Sequence, residues 1–334
     1  MSGVKQSVII RGIGSFAPET VVTNAALAQK VDTSDEWIVT RTGIRERRIA
    51  DDDLSTSRMA VEAGRRAIAD AGLQPEAIDL LIVATMTPDL PFPSTACLVQ
   101  SQLGLRNIPS FDLSAACSGF VYLLETAAAM LRGGSYQHAL IIGAEKMSSI
   151  VDWEDRSTCV LFGDGAGACV LAKSEEPGVG ILQNMLGADG SNPDLLCMPA
   201  GGSVQRPDAA SLAARQHFLK MNGKEVFKHA VRVMEQVTLE VIECNQLQPE
   251  DIALVIPHQA NIRIIDAIVA RLNLPKERFW INVDRYGNTS AASIPIALDE
   301  AYRSQRIGSG DNVLCVAFGA GLTWGASLIK WHHS

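Results

Sequence analysis

An α/β fold built from two duplicated halves is what this 334-residue sequence predicts, on three observations. Residues 73–82, LQPEAIDLLI, recur as residues 247–256, LQPEDIALVI, at an offset of 174 positions, about half the chain. Each copy follows an amphipathic helical stripe and leads into a buried strand. Each half then closes on a Gly-rich pair of strands, residues 162–171 and 318–328. Helices alternating with short apolar strands imply mixed sheets covered by helices. Two similar halves, 1–175 and 176–334, are therefore expected to pack together.

The elements follow in order. Val8-Ile9-Ile10 precedes Gly12-Ile13-Gly14, which superficially matches a dinucleotide-binding turn. Pro18 and the β-branched pair Val21-Val22 interrupt the helix such a turn requires, which argues against a nicotinamide site. Met59, Ala63, Ala67 and Ala71 form the first helical stripe. A strand over Ile108–Leu113 gives way to an apolar helix from about Gly119 to Leu131, with Cys117 at the junction. Residues 186–216, rich in Gly, Asn, Pro, Asp and Ser, read as a long surface loop near the join of the halves. Val226, Ala230, Met234, Val237 and Val241 make the second stripe.

Composition narrows the function. A 47% hydrophobic content supports a substantial core, and a formal net charge of −8 disfavours nucleic acid as a partner. Seven cysteines without a CxxC pair argue for a reducing cytoplasm rather than a disulfide framework. No apolar run approaches the roughly 18 residues needed to cross a bilayer, and the N-terminus shows no signal-peptide pattern. His217 and His229 stand twelve apart and His332-His333 lies at the tail, so no metal site is expected.

Three polar islands in apolar surroundings carry the chemistry. Cys117 lies where backbone N–H groups and the helix dipole favour a thiolate, the form that attacks thioesters. On its own such a cysteine is more often a small buried hydrophobe than a nucleophile, but Ala116, Ser118 and Gly119 leave room beside it. Asp112 and Ser114 fit turn or capping roles. His258 follows the second copy's strand directly within Pro257-His258-Gln259-Ala260-Asn261. Asn288 sits in Gly287-Asn288-Thr289-Ser290-Ala291-Ala292-Ser293, where Gly-Asn also suits a plain turn. The Gly-rich segments at 162–167 and 318–321 lack the Lys-Ser or Lys-Thr of a P-loop.

With these segments, and with Asp32-Thr33-Ser34-Asp35-Glu36-Trp37-Ile38 and Arg41-Thr42-Gly43-Ile44, the chain resembles the β-ketoacyl-[acyl-carrier-protein] synthase III family over nearly its whole length. The resemblance implies a thiolase-like fold, five layers α-β-α-β-α from two related halves, and a homodimer without a cofactor. It implies that Cys117 is acylated by acyl-CoA, and that His258 and Asn288 activate malonyl-acyl-carrier protein for decarboxylative condensation. The backbone N–H groups of Cys117 and Ala320 would form the oxyanion hole, Ala320 standing where glycine is frequent. Trp37 and Arg156 would stack around the CoA adenine, with Arg41 near its phosphates. Gln259, Ala260, Asn261, Ile262 and Arg263 match the segment that contacts acyl-carrier protein, and Phe92 would reach the acyl pocket across the dimer interface. Arg271, Lys276 and Lys228 would join Arg263 in a basic entrance.

Three other readings remain open at this level. A papain-like hydrolase shares the Cys, His, Asn order but not its local signature. A condensing enzyme or acyltransferase of secondary metabolism keeps the fold and the nucleophile. A noncatalytic carrier-binding scaffold would need neither.

Overall fold

The computed structural model describes residues 6–332. In the first half, strands β1 (Ser7–Phe16), β2 (Val21–Thr23), β3 (Glu46–Arg48), β4 (Leu80–Ala84), β5 (Ser110–Leu113), β6 (His138–Glu145) and β7 (Gly165–Ser174) alternate with helices α1 (Asn24–Leu27), α2 (Asp35–Thr42), α3 (Thr56–Asp70), α4 (Thr95–Gln102), α5 (Gly119–Gly133) and α6 (Arg156–Cys159). In the second, β8 (Gly180–Ala188), β9 (Leu196–Cys197), β10 (Lys220–Met221), β11 (Leu254–Pro257), β12 (Asn312–Gly319) and β13 (Thr323–Lys330) alternate with α7 (Ala209–Ala213), α8 (Gly223–Cys244), α9 (Ile262–Leu272), α10 (Val283–Tyr286) and α11 (Ser293–Arg303).

The duplication is visible in strand order. The first half runs β4-β6-β7-β1 and the second β11-β12-β13-β8, each a parallel pair followed by two antiparallel ones. The ten-residue repeat folds alike in both copies, as a single turn, Pro75–Ala77 or Pro249–Asp251, feeding β4 or β11. Two differences from expectation appear. The sheets fuse into one nine-stranded ladder through a single parallel pair, Val8 with Gly180. Among the described residues, the second half also lacks a counterpart of β5, with one bridge between Val255 and Phe279 in its place.

Alternation along the strands builds five layers. Leu81, Val83, Leu140 and Ile142 face outward onto α3 and α4. Their neighbours Leu80, Ile82, Ala139 and Ile141 face inward onto α5 and α11, which also receive Leu254, Ile256, Val313 and Cys315 of the other half. Val255, Leu314 and Val316 then face the outer helices α8 and α9. Strands covered on both faces must be apolar throughout. The central layer is apolar, with Phe120, Leu123 and Leu124 fully buried, each stabilising by roughly 1.5–3 kcal/mol on area grounds. At Gly14 a Cβ would fall 2.6 Å from the Ala67 nitrogen, so these β1 glycines bring α3 close rather than binding a nucleotide.

The segment 186–216 is mostly exposed, as expected of a surface loop, but it carries short elements of its own. It begins as β8, then pairs β9 with β10 and includes α7. Asp152, whose side chain is almost wholly buried, ties it to the body through ion pairs with Arg215 and Lys220 that hold its carboxyl well below the usual range. The sparse apolar residues Leu195 and Leu196 pack against the core, which the segment's polar composition conceals.

Candidate active site

A cavity of about 690 Å³ opens between the halves, and Cys117, His258 and Asn288 all line it. Each sits at the end of a buried element. Cys117 lies in the short turn Ala116–Ser118 that runs into α5. His258 follows β11, its backbone N–H donating to the Val316 carbonyl. Asn288 is tied to the first half, its N–H donating to Leu161 and its carbonyl accepting from Gly163.

The two helix-entry turns share an unusual backbone. Ala116 and Ser290, each the first residue of its turn, have φ of 49° and 50°. Left-handed non-glycine residues are uncommon and cost of order 1–3 kcal/mol, so surrounding structure must impose them. Gly319 supplies part of that structure for Cys117. A Cβ there would fall 2.7 Å from the Cys117 nitrogen, so the end of β12 lies directly against the nucleophile, with Ala320 next on the cavity wall.

Electrostatics overturn one expectation. Burial pushes the Cys117 thiol up to about 12, the nearby Ser290 hydroxyl opposes the rise, and Glu145 adds to it. The helix start does not offset removal of the sulfur from water, so the resting group is a thiol. Burial alone lowers His258 to about 3, leaving a neutral imidazole. Its Nδ1 meets Ser293 Oγ at 2.7 Å. Asn288 Oδ1 accepts from the Ser290 N–H at 2.8 Å, which fixes the amide orientation and leaves its NH2 as donor.

The outer residues divide. Arg41 Cζ lies 4.5 Å and Arg156 Cζ 4.9 Å from the Trp37 ring centroid, so these three meet. Stacked rings need centroids about 4.5 Å apart or more, so a base enters between Trp37 and Arg156 only if they part. Gln259 corrects the carrier-contact expectation. It is buried, donating to Pro257 and Trp280 carbonyls and accepting from Asn282 and Val283, so its side chain braces the His258 loop instead. Asn261 caps α9, while Ala260, Asn261 and Arg263 line the cavity. Ile262 packs at Gly43, the cap of the helix carrying Trp37 and Arg41. Arg271 and Lys276 are paired with Glu235 and Asp266, and the cations at the mouth are Arg41, Lys224, Lys228 and Arg263. Phe92 is 83% exposed and lies outside this cavity's lining. Asp112 is a capping residue, accepting from the Thr95 and Ala96 N–H groups at 2.7 Å.

Sequence reasoning assigned no role to Glu145, Thr85, Thr87 or Ser293. Glu145 had a signal, a carboxylate closing the apolar run of β6.

A layered duplicated fold whose cavity is lined by a buried cysteine, a neutral histidine and an oriented amide fits an acyltransferase-type condensing enzyme. The chain belongs to the 3-oxoacyl-[acyl-carrier-protein (ACP)] synthase III family, whose models match residues 111–190 and, for its C-terminal part, 242–331. It is 56% identical to the beta-ketoacyl-[acyl-carrier-protein] synthase III of Caldanaerobacter subterraneus subsp. tengcongensis, covering 96% of this chain and 97% of that one. The crystal structure of the Aquifex aeolicus synthase III shares 50% identity at a TM-score of 0.90, covering 97% of this chain and all of its own (100%). A priming β-ketosynthase of a polyketide pathway shares 37% identity at a TM-score of 0.91, covering 99% of this chain and 98% of that one.

Proposed function

We propose that this enzyme condenses an acyl-CoA primer with malonyl-acyl-carrier protein, giving β-ketoacyl-acyl-carrier protein, CoA and CO2, the opening step of type II fatty-acid synthesis. The observation that carries the reading is one cavity joining a nucleophile to two neutral donors. Cys117 attacks the acyl-CoA carbonyl, the backbone N–H groups of Cys117 and Ala320 stabilise the oxyanion, and CoA departs. Malonyl-acyl-carrier protein then loses CO2, and its thioester oxygen becomes an enolate between His258 and Asn288. The enolate carbon attacks acyl-Cys117 and releases the product.

Hydrogen-bond directions support these roles. Ser293 Oγ accepts the Gln259 N–H at 3.4 Å, which leaves its own proton for His258 Nδ1. The ring proton then resides on Nε2 as a donor, while Asn288 offers its NH2. Two neutral donors stabilise an enolate without repelling or trapping malonate. Trp37, Arg41 and Arg156 take the CoA nucleotide. Arg263 and the neighbouring lysines, with Ala260, Asn261 and Ile262, receive the acidic carrier.

Two halves meeting near residue 175 and a homodimer complete the reading. The exposed apolar pair Leu90 and Phe92, 48% and 83% accessible, supports a subunit contact that sends Phe92 toward the partner's acyl pocket. Seven free thiols support a cytoplasmic setting, and no helix among the described residues is long and apolar enough to cross a membrane. The 37% identity to a polyketide priming enzyme is weaker support for secondary metabolism than 56% identity to a synthase III.

The deciding experiment is mass measurement of Cys117 after exposure to mixed acyl-CoAs, followed by malonyl-acyl-carrier protein. An acyl adduct that then converts to β-ketoacyl-carrier is expected. Absence of the adduct rejects the mechanism.

A further inference from the structure

Glu145 is the group the mechanism above leaves unused. It ends β6 with no exposed surface, beside the nucleophile. Its two oxygens have different company. Oε2 accepts from the Met86 and Thr87 N–H groups at 3.0 and 3.2 Å, and from the Thr87 and Thr85 hydroxyls at 2.8 and 3.2 Å. Oε1 accepts from the Ser290 hydroxyl at 3.0 Å. Ser290 stands on a turn that packs against the Ala116–Ser118 turn, and its hydroxyl is among the groups that act on the Cys117 sulfur. A purely structural carboxylate would be anchored by both oxygens; here Oε2 supplies the anchoring and Oε1 is turned to a hydroxyl that reaches the reacting atom.

We propose that Ser290 and Glu145 form a proton relay that deprotonates Cys117 during acyl transfer. The Cys117 S–H proton passes to Ser290 Oγ as the Ser290 hydroxyl proton passes to Glu145 Oε1, while the sulfur forms its bond to the acyl carbonyl carbon. When the bond from that carbon to the CoA sulfur breaks, the departing thiolate takes one proton by the reverse path. The sum is Cys–SH plus acyl–S–CoA giving Cys–S–acyl plus CoA–SH, with the relay restored. This inference rests on the acyl-transfer role of Cys117.

The surroundings favour this acceptor over the imidazole. His258 holds Ser293 through Nδ1 and has the donor task in condensation. Glu145 is pushed up to about 7, chiefly by burial, opposed by hydrogen bonds from Thr87, Met86, Ser290 and Thr85. It is thus a far better base than a carboxylate in water, yet ionised at mildly alkaline pH. The groups packed on it are the β4 exit (Thr85, Met86, Thr87), the Ser290 turn and Cys117. The next residue, Lys146, turns its ammonium away to the Asp51 and Asp52 carbonyls.

The test is rapid-quench acylation of Cys117 by a saturating mixture of acetyl-, isobutyryl- and octanoyl-CoA, read by intact mass between pH 5 and 9. The unmodified enzyme should accelerate with rising pH through a midpoint near 7, as the acceptor ionises. Glu145→Gln and Ser290→Ala should each slow acylation by about 10²-fold, the low end for general-base catalysis, and lose that limb. The double variant should be no slower than the slower single one, and Glu145→Asp should recover part of the rate. KM for acyl-CoA should stay within about threefold throughout. Ser290→Ala keeping the rate or the limb overturns the relay, even if Glu145→Gln fails to fold. A change in KM or melting temperature with the limb intact assigns a structural role and likewise overturns it. No acylation of the unmodified enzyme would instead reject the proposed function itself.

Discussion

The entry turn of α5 and that of α11 occupy matching places in the two halves, yet they do opposite jobs. Both are single turns starting on a left-handed residue, Ala116 or Ser290, and both lead into a helix of the central layer. In the first half β5 delivers a nucleophile to this position, with Cys117 second in the turn. In the second half the strand has shrunk to the Val255–Phe279 bridge, Ala291 stands second in the turn, and the chemistry has moved upstream to Asn288. The strand ends diverge likewise, Thr85 after β4 and His258 after β11. Duplication aims both turns at one cavity; in the proposed mechanism, divergence leaves one half to attack and the other to stabilise charge.

Four measurements test that division, from the largest expected effect to the smallest. Cys117→Ala should abolish acyl transfer, a loss of at least ~10³-fold, because no acyl thioester can then form at the helix-entry turn. Detection of any other stable acyl adduct would break the comparison. His258→Ala or Asn288→Ala should slow malonyl-carrier decarboxylation by ~10²–10³-fold, the usual cost of an oxyanion donor. Acylation by acyl-CoA should change less than about threefold, and equal losses in both half-reactions would erase the distinction between halves.

The third concerns the opposite burial costs of the two halves. Glu145 is raised from 4.5 to about 7, so the folded state binds the extra proton and its stability contribution is lost as pH rises through that window. His258 is lowered from 6.5 to about 3, so there stability is lost as pH falls. At about 1.4 kcal/mol per pH unit, Glu145→Gln should gain about 3 kcal/mol on the unmodified protein between pH 4.5 and 7. Urea denaturation at both pH values checks it, and a constant difference would mean Glu145 is not strained by burial. Last, Arg263→Glu should raise KM for malonyl-acyl-carrier protein several-fold at low salt, fading as salt increases, with acyl-CoA turnover unchanged. A salt-independent effect would remove Arg263 from the docking face, leaving Arg41, Lys224 and Lys228 at the mouth.

Much of this was legible in the chain because it is local. The repeat, the helical stripes and the three polar islands are patterns of neighbouring residues, and burial of one face follows from each. Strand order follows from duplication once each copy is recognised. What was illegible depends on contacts between distant residues. Gln259 sits in a motif that reads as exposed and polar, yet the fold closes over it with Trp280 and Asn282. Segment 186–216 reads as loop because its few packed apolar residues, Leu195 and Leu196, find their partners in elements distant in sequence.

The sequence by itself determined the duplicated α/β plan, the family, and which residues could react, since periodicity and motif spacing are properties of the chain. Only the tertiary structure decided how those residues behave. Desolvation makes Cys117 a thiol and His258 a neutral imidazole, backbone bonds with Leu161 and Gly163 of the other half hold the Asn288 loop in place, and the Ser290 hydroxyl ties that loop to the distant Glu145. Burial and hydrogen-bond direction are set by everything packed around a group, and no local stretch of sequence contains them.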